Sequence, residues 1–237
     1  MEKSMKADIR TRIAELRTEQ ARLEKQLVDR QSPTFIAIEP GTVGTEDGDE
    51  ITVDGYRISE TAITVGQWRV FLEESGHEWD RLRRFDNLAD DLPITNVTYF
   101  DAVAFCEFYS YSLPTCDQWE YACRAGSAGR YCCPDKDLSE YAVYGVSQVQ
   151  AVATKRPNKF GLYDMHGNVW EWTKDSDPQT NRRLLRGGSW AGGSFDCRAT
   201  NRNFSTPGGR TIGVGFRVVC GGQDAKDSDP QTNLVRG

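Results

Sequence analysis

The chain has 237 residues, 38% of them hydrophobic and 11% aromatic, with a formal net charge of -6 and a pI near 5.1. That is apolar material for one core of about 190 residues plus short appendages, while a mean hydropathy of -0.60 excludes a membrane-spanning chain. The acidic balance argues against nucleic acid as a partner, because such a ligand needs a basic face to displace its counterions. Seven cysteines without short regular spacing read as reduced, mostly buried thiols. Two histidines, His77 and His166, are too few for a histidine-rich metal site or a Ser-His-Asp relay.

Charges run through the first thirty residues and no unbroken apolar stretch occurs there. No signal peptide is read, and a cytoplasmic or virion-associated protein with no membrane partner is expected. Ile9, Ile13, Leu16, Leu23 and Leu27 follow alternating four- and three-residue steps, with Gln20 at the one missing seam position, which predicts an amphipathic helix within residues 1–31. It either packs on its own domain or serves as a short coiled-coil stalk that makes a homo-oligomer. Ser32-Pro33 ends it, and the compact domain is expected over residues 32–222, with a disordered tail at 223–237.

Within that domain, Thr34 to Ile38 and Ile51 to Ile58 read as strands separated by a Gly- and acid-rich loop from Gly41 to Glu50. Three helix starts carry side-chain caps: Thr64 with Gln67, Thr98 with Asp101, and Thr115 with Gln118. They predict helices near 65–75, 99–111 and 116–124. From Arg130 to Arg156 the chain is irregular, and beyond Phe160 it becomes a succession of glycines, aromatics and short apolar runs. Helices first and short strands later give an α+β class with a small, mostly antiparallel sheet, few helices and long loops. The octapeptide KDSDPQTN occurs twice, at Lys174–Asn181 and Lys226–Asn233.

The segments GLYDMHGNVWEW (Gly161 to Trp172), LRGGSW (Leu185 to Trp190) and GVGFR (Gly213 to Arg217) together resemble the formylglycine-generating-enzyme, or sulfatase-modifying-factor, family. Upstream, SETAITVGQWRVFL (Ser59 to Leu72), LPITNVTYFDAVAFCEF (Leu92 to Phe108) and LPTCDQWEYACRAG (Leu113 to Gly126) follow the same order, so the resemblance covers residues 34 to 220. It implies the C-type-lectin fold, with Trp170, Trp172, Trp190 and Phe216 as an aromatic core and turns at Gly161, Gly167, Gly187 and Gly188. It also implies a structural calcium held by Asp164, Gly167, Val169 and Glu171, hard oxygen ligands of the kind calcium takes.

Active members of that family resemble copper-dependent thiol oxidases whose two cysteines follow the GGS-aromatic motif. Here that segment reads AGGSFDCRATNRN and holds Cys197 alone, so the resemblance implies no catalytic residues and no required cofactor. The C-terminal order, Arg186 to Trp190, Cys197-Arg198, Thr206-Pro207 and Gly215 to Arg217, is similar to the variable proteins of diversity-generating retroelements. Adenine-directed mutagenesis of asparagine codons cannot yield Lys, Glu, Gln, Met or Trp, and none of these occurs from Ala191 to Val214. A Gly-rich turn segment would also be poor in them.

The implied site is a hypervariable face within residues 190–217 that binds a protein or other macromolecular ligand. Its residues are Ala191, Gly192, Gly193, Phe195, Asp196, Phe204, Ser205, Gly208, Gly209, Thr211, Ile212 and Gly213. Phe195, Phe204 and Ile212 are its apolar anchors and Asp196 its charge selector. Arg198, Arg202, Arg210 and Arg217 are then scaffold residues that donate to loop carbonyls, or else an anion-binding patch. The competing functions are a thiol oxidase with an altered site and an oligomeric adaptor domain.

Overall fold

A computed structural model of the chain describes residues 12, 15–19, 32–78 and 88–221. Internal contacts divide the chain into residues 1–33 and 34–237. In the first unit residues 15–19 are helical, with Leu16 exposed. Ile9, Ile13, Leu23 and Leu27, on which the amphipathic helix rests, lie outside the described residues, as does the tail at 223–237. No described helix is long and apolar enough to cross a membrane.

The second unit opens and closes in one sheet, ordered β1-β4-β9, in which β1 (Phe35–Ile38), β4 (Tyr56–Ser59) and β9 (Val219–Cys220) are antiparallel. The segment expected as a loop from Gly41 to Glu50 instead contains β2 (Gly41–Gly44), paired with β3 (Glu50–Val53) as a hairpin. The long strand expected at Ile51 to Ile58 is broken at Asp54-Gly55 into β3 and β4. Val43, Ile51 and Val53 alternate with exposed neighbours and enter the core, which is the burial that pays for the extra hairpin.

Helices α1 (Val65–Ser75), α2 (Tyr99–Phe108) and α3 (Cys116–Arg124) begin at complete capping boxes on Thr64, Thr98 and Thr115. The second is three residues shorter than its apolar pattern: Ser110 turns left-handed at φ 58° and the Tyr111 N–H returns to the Cys106 carbonyl at 2.7 Å, which closes the helix. A short 3-10 turn (Asp135–Asp137) and α4 (Leu138–Tyr141) interrupt the irregular stretch that follows.

The C-terminal part forms a four-stranded sheet ordered β7-β6-β5-β8, from β5 (Trp170–Ser176), β6 (Arg183–Arg186), β7 (Arg202–Ser205) and β8 (Val214–Gly215). Only β8 runs parallel to its neighbour β5. The class is α+β with few helices and small sheets, as the order of sequence patterns implied. Trp172 and Phe216 are fully buried with Trp68, Phe71 and Phe105 in one cluster, and Trp119 anchors a second. Trp190 departs from the expected aromatic core: it is only half-buried, and its Nε1 points to the Ile212 carbonyl at 3.5 Å.

Gly167 shows why the turn before β5 admits no side chain. Its φ is 111°, and a Cβ there would stand 2.2 Å from the Val143 carbonyl oxygen. Gly48 also has a positive φ, 89°, but faces open space. In urea unfolding, Gly48→Ala is expected to cost about 1 kcal/mol from backbone strain alone, and Gly167→Ala more than about 2 kcal/mol because strain and clash combine. Equal losses would show that the contact with Val143 does not constrain the fold.

Candidate ligand-binding face

Two buried ionic clusters hold the backbone on which this face is built. On β5, Glu171 is 1% exposed and accepts from Arg217 Nε at 2.6 Å, Arg217 Nη2 at 2.8 Å and Trp119 Nε1 at 2.6 Å. The remaining donors of Arg217 reach the carbonyls of Ser59 and Tyr163, so one guanidinium ties β5 to β4 and to the turn before the GNVWEW motif. Directly across the ladder from Glu171 stands Arg186. It is fully buried and bonds Glu120 at 2.5 Å and the carbonyls of Ala199, Thr200 and Asn201. Glu120 in turn carries Arg124, four residues on along α3.

Arg186 therefore performs the carbonyl-holding role expected of its neighbours. Arg217 does the same, and Arg210 bonds Asp101 at 2.6 Å. Arg198 and Arg202 do not: Arg198 stacks on the Phe195 ring at 4.4 Å with its Nε buried and unpartnered, and Arg202 is exposed on β7. Arg186 and Arg217 thus brace the segment from its two ends and Arg210 from within it.

The segment itself alternates between sunk and raised residues. Cys197 and Ala199 are fully buried and Val214 nearly so, whereas Phe195 is 60% exposed, Ile212 66% and Phe204 36%. Ala191, Gly193, Gly208 and Thr211 are also exposed, and Gly192, Asp196, Ser205, Gly209 and Gly213 half-buried. Asp196 differs from its expected part, because its Oδ2 accepts from the Gly193 N–H at 3.1 Å and closes a turn rather than standing free as a charge selector. The glycines divide by space. Around Gly193 and Gly208 a Cβ would meet nothing within 4 Å, while at Gly188 it would stand 2.9 Å from the backbone of Asp196.

Behind the segment, Tyr131 Oη donates to the Ser194 carbonyl at 2.9 Å and the Ala199 N–H to the Arg130 carbonyl at 2.8 Å. Between them lies His166, fully buried. Its Nε2 takes the Cys132 N–H at 3.0 Å, and its Nδ1 lies 2.8 Å from the Cys197 carbonyl. Those partners require an acceptor at Nε2 and a donor at Nδ1, hence the neutral imidazole. Nothing in the sequence marked His166 for this role; one histidine inside a glycine motif has no periodicity to betray a neighbour 31 residues away.

Cys197 and Cys220 do not assemble a redox pair. Cys197 is sealed beneath the segment and burial pushes its thiol up to about 12, while Cys220 sits on β9 at the edge of the sheet ordered β1-β4-β9. One buried, protonated sulfur does not fit a copper(I) site, which needs two thiolates. The four residues expected around calcium fit in part. Asp164 Oδ1 is buried without a hydrogen-bond partner, but Glu171 already accepts three donors, and the Gly167 carbonyl accepts the Val169 N–H at 2.8 Å.

Burial holds the His166 pKa down to about 4, against 6.5 in a free chain, although its bond to the Cys197 carbonyl favours the charged form. A depressed histidine leaves stability intact above pH 6.5. As pH falls from 6.5 toward 4 the unfolded chain takes up a proton that the folded one refuses, so stability is lost, by about 3 kcal/mol in total. His166→Gln, which keeps an acceptor and a donor, is expected to flatten that part of the stability-pH curve. An unchanged slope in the variant would assign the acid loss to other groups.

The comparisons with known proteins agree with this geometry. The sulfatase-modifying factor enzyme 1-like domain matches residues 19–221. The chain is similar to the inactive C-alpha-formylglycine-generating enzyme 2 of Bos taurus, 35% identical over 155 residues that cover 55% of this chain and 51% of that one. It thus spans about half the length of that curated relative. Among solved structures it is similar to Treponema denticola variable protein 1, with a TM-score of 0.68, 25% identity, and 79% and 95% of the two chains covered. It is similar also to PvdO from Pseudomonas aeruginosa, with a TM-score of 0.71, 25% identity, and 80% and 94% covered. The architecture is the C-type-lectin fold of the formylglycine-generating type. On the profile match and the motifs from Ser59 to Arg217, the chain belongs to the sulfatase-modifying factor enzyme 1-like domain family.

Proposed function

We propose that this domain binds a protein or other macromolecular ligand without catalysis, through the segment between Trp190 and Arg217, in the manner of the variable proteins of diversity-generating retroelements. The observation that carries the reading is the separation of roles within one stretch. Phe195, Phe204 and Ile212 are turned outward, while Cys197, Ala199 and Val214 are buried, with the Ala199 carbonyl held by Arg186. Exposed aromatic and branched residues of this kind serve as anchors when a partner desolvates them. The similarity to a Treponema denticola variable protein supports the same reading. The sealed state of Cys197 supports the absence of thiol chemistry.

Such a surface must tolerate change. The combined variant Gly193→Tyr, Phe195→Ser and Gly208→Tyr is expected to stay within about 0.5 kcal/mol of the parent in chemical denaturation, the ordinary range of surface substitutions. A loss above about 2 kcal/mol would mean that these positions belong to the core and would end the proposal. The gene offers a second check: DNA nearby should hold a near-copy of the stretch encoding Trp190 to Gly215 that differs at adenines. Copper-dependent oxygen uptake with a cysteine peptide, abolished by Cys197→Ala, would install the oxidase reading instead.

Within this reading calcium is a structural ion at the Asp164 turn rather than a reactive one. The unpartnered Asp164 Oδ1 supports it. A carboxylate has about four lone-pair positions, and the three donors on Glu171 leave one for a cation. Calcium at millimolar concentration is expected to raise the melting temperature of the parent and not that of Asp164→Ala. An equal response in both would place any bound ion elsewhere.

A further inference from the structure

Cys132 and Cys133 stand next to one another on an open cleft of about 560 Å3, lined also by Ser127, Asp135, Tyr141 and Lys159. Both are half-buried and line the same cleft, each thiol close enough to perturb the other. The backbone beneath them is fixed: the Cys132 N–H is held by His166 Nε2, and Cys133 packs against the cluster of Tyr131, Leu138, Ala142 and Cys197. The pair lies behind the ligand-binding segment and takes no part in it.

Adjacent Cα atoms are about 3.8 Å apart, shorter than the roughly 4.4–6.8 Å that a disulfide prefers. A direct S–S bond here would be strained and readily reduced. An atom inserted between the sulfurs, with two bonds of about 2.3 Å, relaxes that strain. Among the described residues no group of three or more His, Cys, Asp or Glu side chains is placed to hold a metal, so a tetrahedral zinc site has no ligand set here.

We propose that Cys132 and Cys133 form a two-sulfur chelate for a soft, thiophilic centre that is satisfied by two thiolate ligands, a singly substituted trivalent arsenic. Soft thiolates select such centres over hard cations. Burial, and then the neighbouring thiol, push Cys132 up to about 12, and Cys133 is raised by burial and by Asp137, Asp135 and Glu140. Both sulfurs are therefore protonated before loading. An organoarsenic(III) oxide suits protonated thiols: the two S–H bonds and the arsenic-oxygen bond break, two arsenic-sulfur bonds form, and the oxygen leaves as water with both protons. No oxidation state changes.

Phenylarsine oxide is the probe, added to the full chain and followed by native mass spectrometry. The expected result is a one-to-one adduct that survives a large excess of 2-mercaptoethanol and is released by 2,3-dimercaptopropanol. Cys132→Ser and Cys133→Ser, each checked for folding by circular dichroism, are expected to weaken the adduct at least a hundredfold, while Cys197→Ala and Cys220→Ser retain it. An adduct that yields to the monothiol, persists in both serine variants, or disappears with Cys197→Ala would overturn the assignment, as would no adduct at all. None of these results bears on the ligand-binding face, whose stability test rests on Gly193, Phe195 and Gly208.

Discussion

The carboxylate of Glu171 and the guanidinium of Arg217 meet in a place from which water is excluded, and the C-terminal half of the domain is organised around that pair. Taking both ions out of water costs several kcal/mol each, and their attraction returns this only when the remaining donors are also satisfied. Here they are: Arg217 bonds the carbonyls of Ser59 and Tyr163, and Trp119 completes the carboxylate. Removing one partner would strand the other, at roughly 3–5 kcal/mol, a large share of the stability of any domain. The pair is thus a weak source of net stability and a strong source of geometry, because only one arrangement of β4, β5 and the turn at Tyr163 satisfies all of its donors.

The second cluster extends that logic to the loop. Arg186 is opposite Glu171 in the ladder and reaches three successive carbonyls, Ala199 to Asn201, with Glu120 neutralising it from α3. A loop held by its carbonyls depends less on its own side chains for shape. This is the physical condition for a surface whose residues can change: the contacts that fix the backbone at Ser194, Cys197 and Ala199 to Asn201 come from outside the segment, from Tyr131, His166, Arg130 and Arg186, while Asp196 closes a turn of its own.

Much of this was legible before any coordinates. The three threonine caps with Gln or Asp three residues on located the starts of α1, α2 and α3, because a capping box is a local device that needs no tertiary information. The glycines of the GNVWEW and RGGSW motifs marked tight turns for a similarly local reason. The β2-β3 hairpin was hidden because Gly41 to Glu50 is rich in turn formers, and only packing of Val43 onto α3 makes part of it a strand. The outward direction of Phe195 and Ile212 followed from the resemblance, whereas the retention of Asp196 by its own turn did not. Distances between Arg186 and carbonyls 13 to 15 residues away leave no trace in composition.

The burial of Cys197 bears on the proposed loss of thiol chemistry and on the proposed freedom of the surface alike. A thiol used in catalysis must be reachable and ionisable, which ties the residues around it to a reaction. Cys197 is instead pressed under the segment, protonated, with its carbonyl committed to His166. It behaves as a small apolar plug, the ordinary part of a buried cysteine. Once the sulfur acts as packing, the positions above it answer only to space. Gly193 and Gly208 open onto solvent and can carry any side chain, whereas Gly188, whose Cβ would collide with the backbone at Asp196, cannot. The boundary between fixed and free residues therefore runs through the motif itself, and it is drawn by backbone proximity rather than by chemistry.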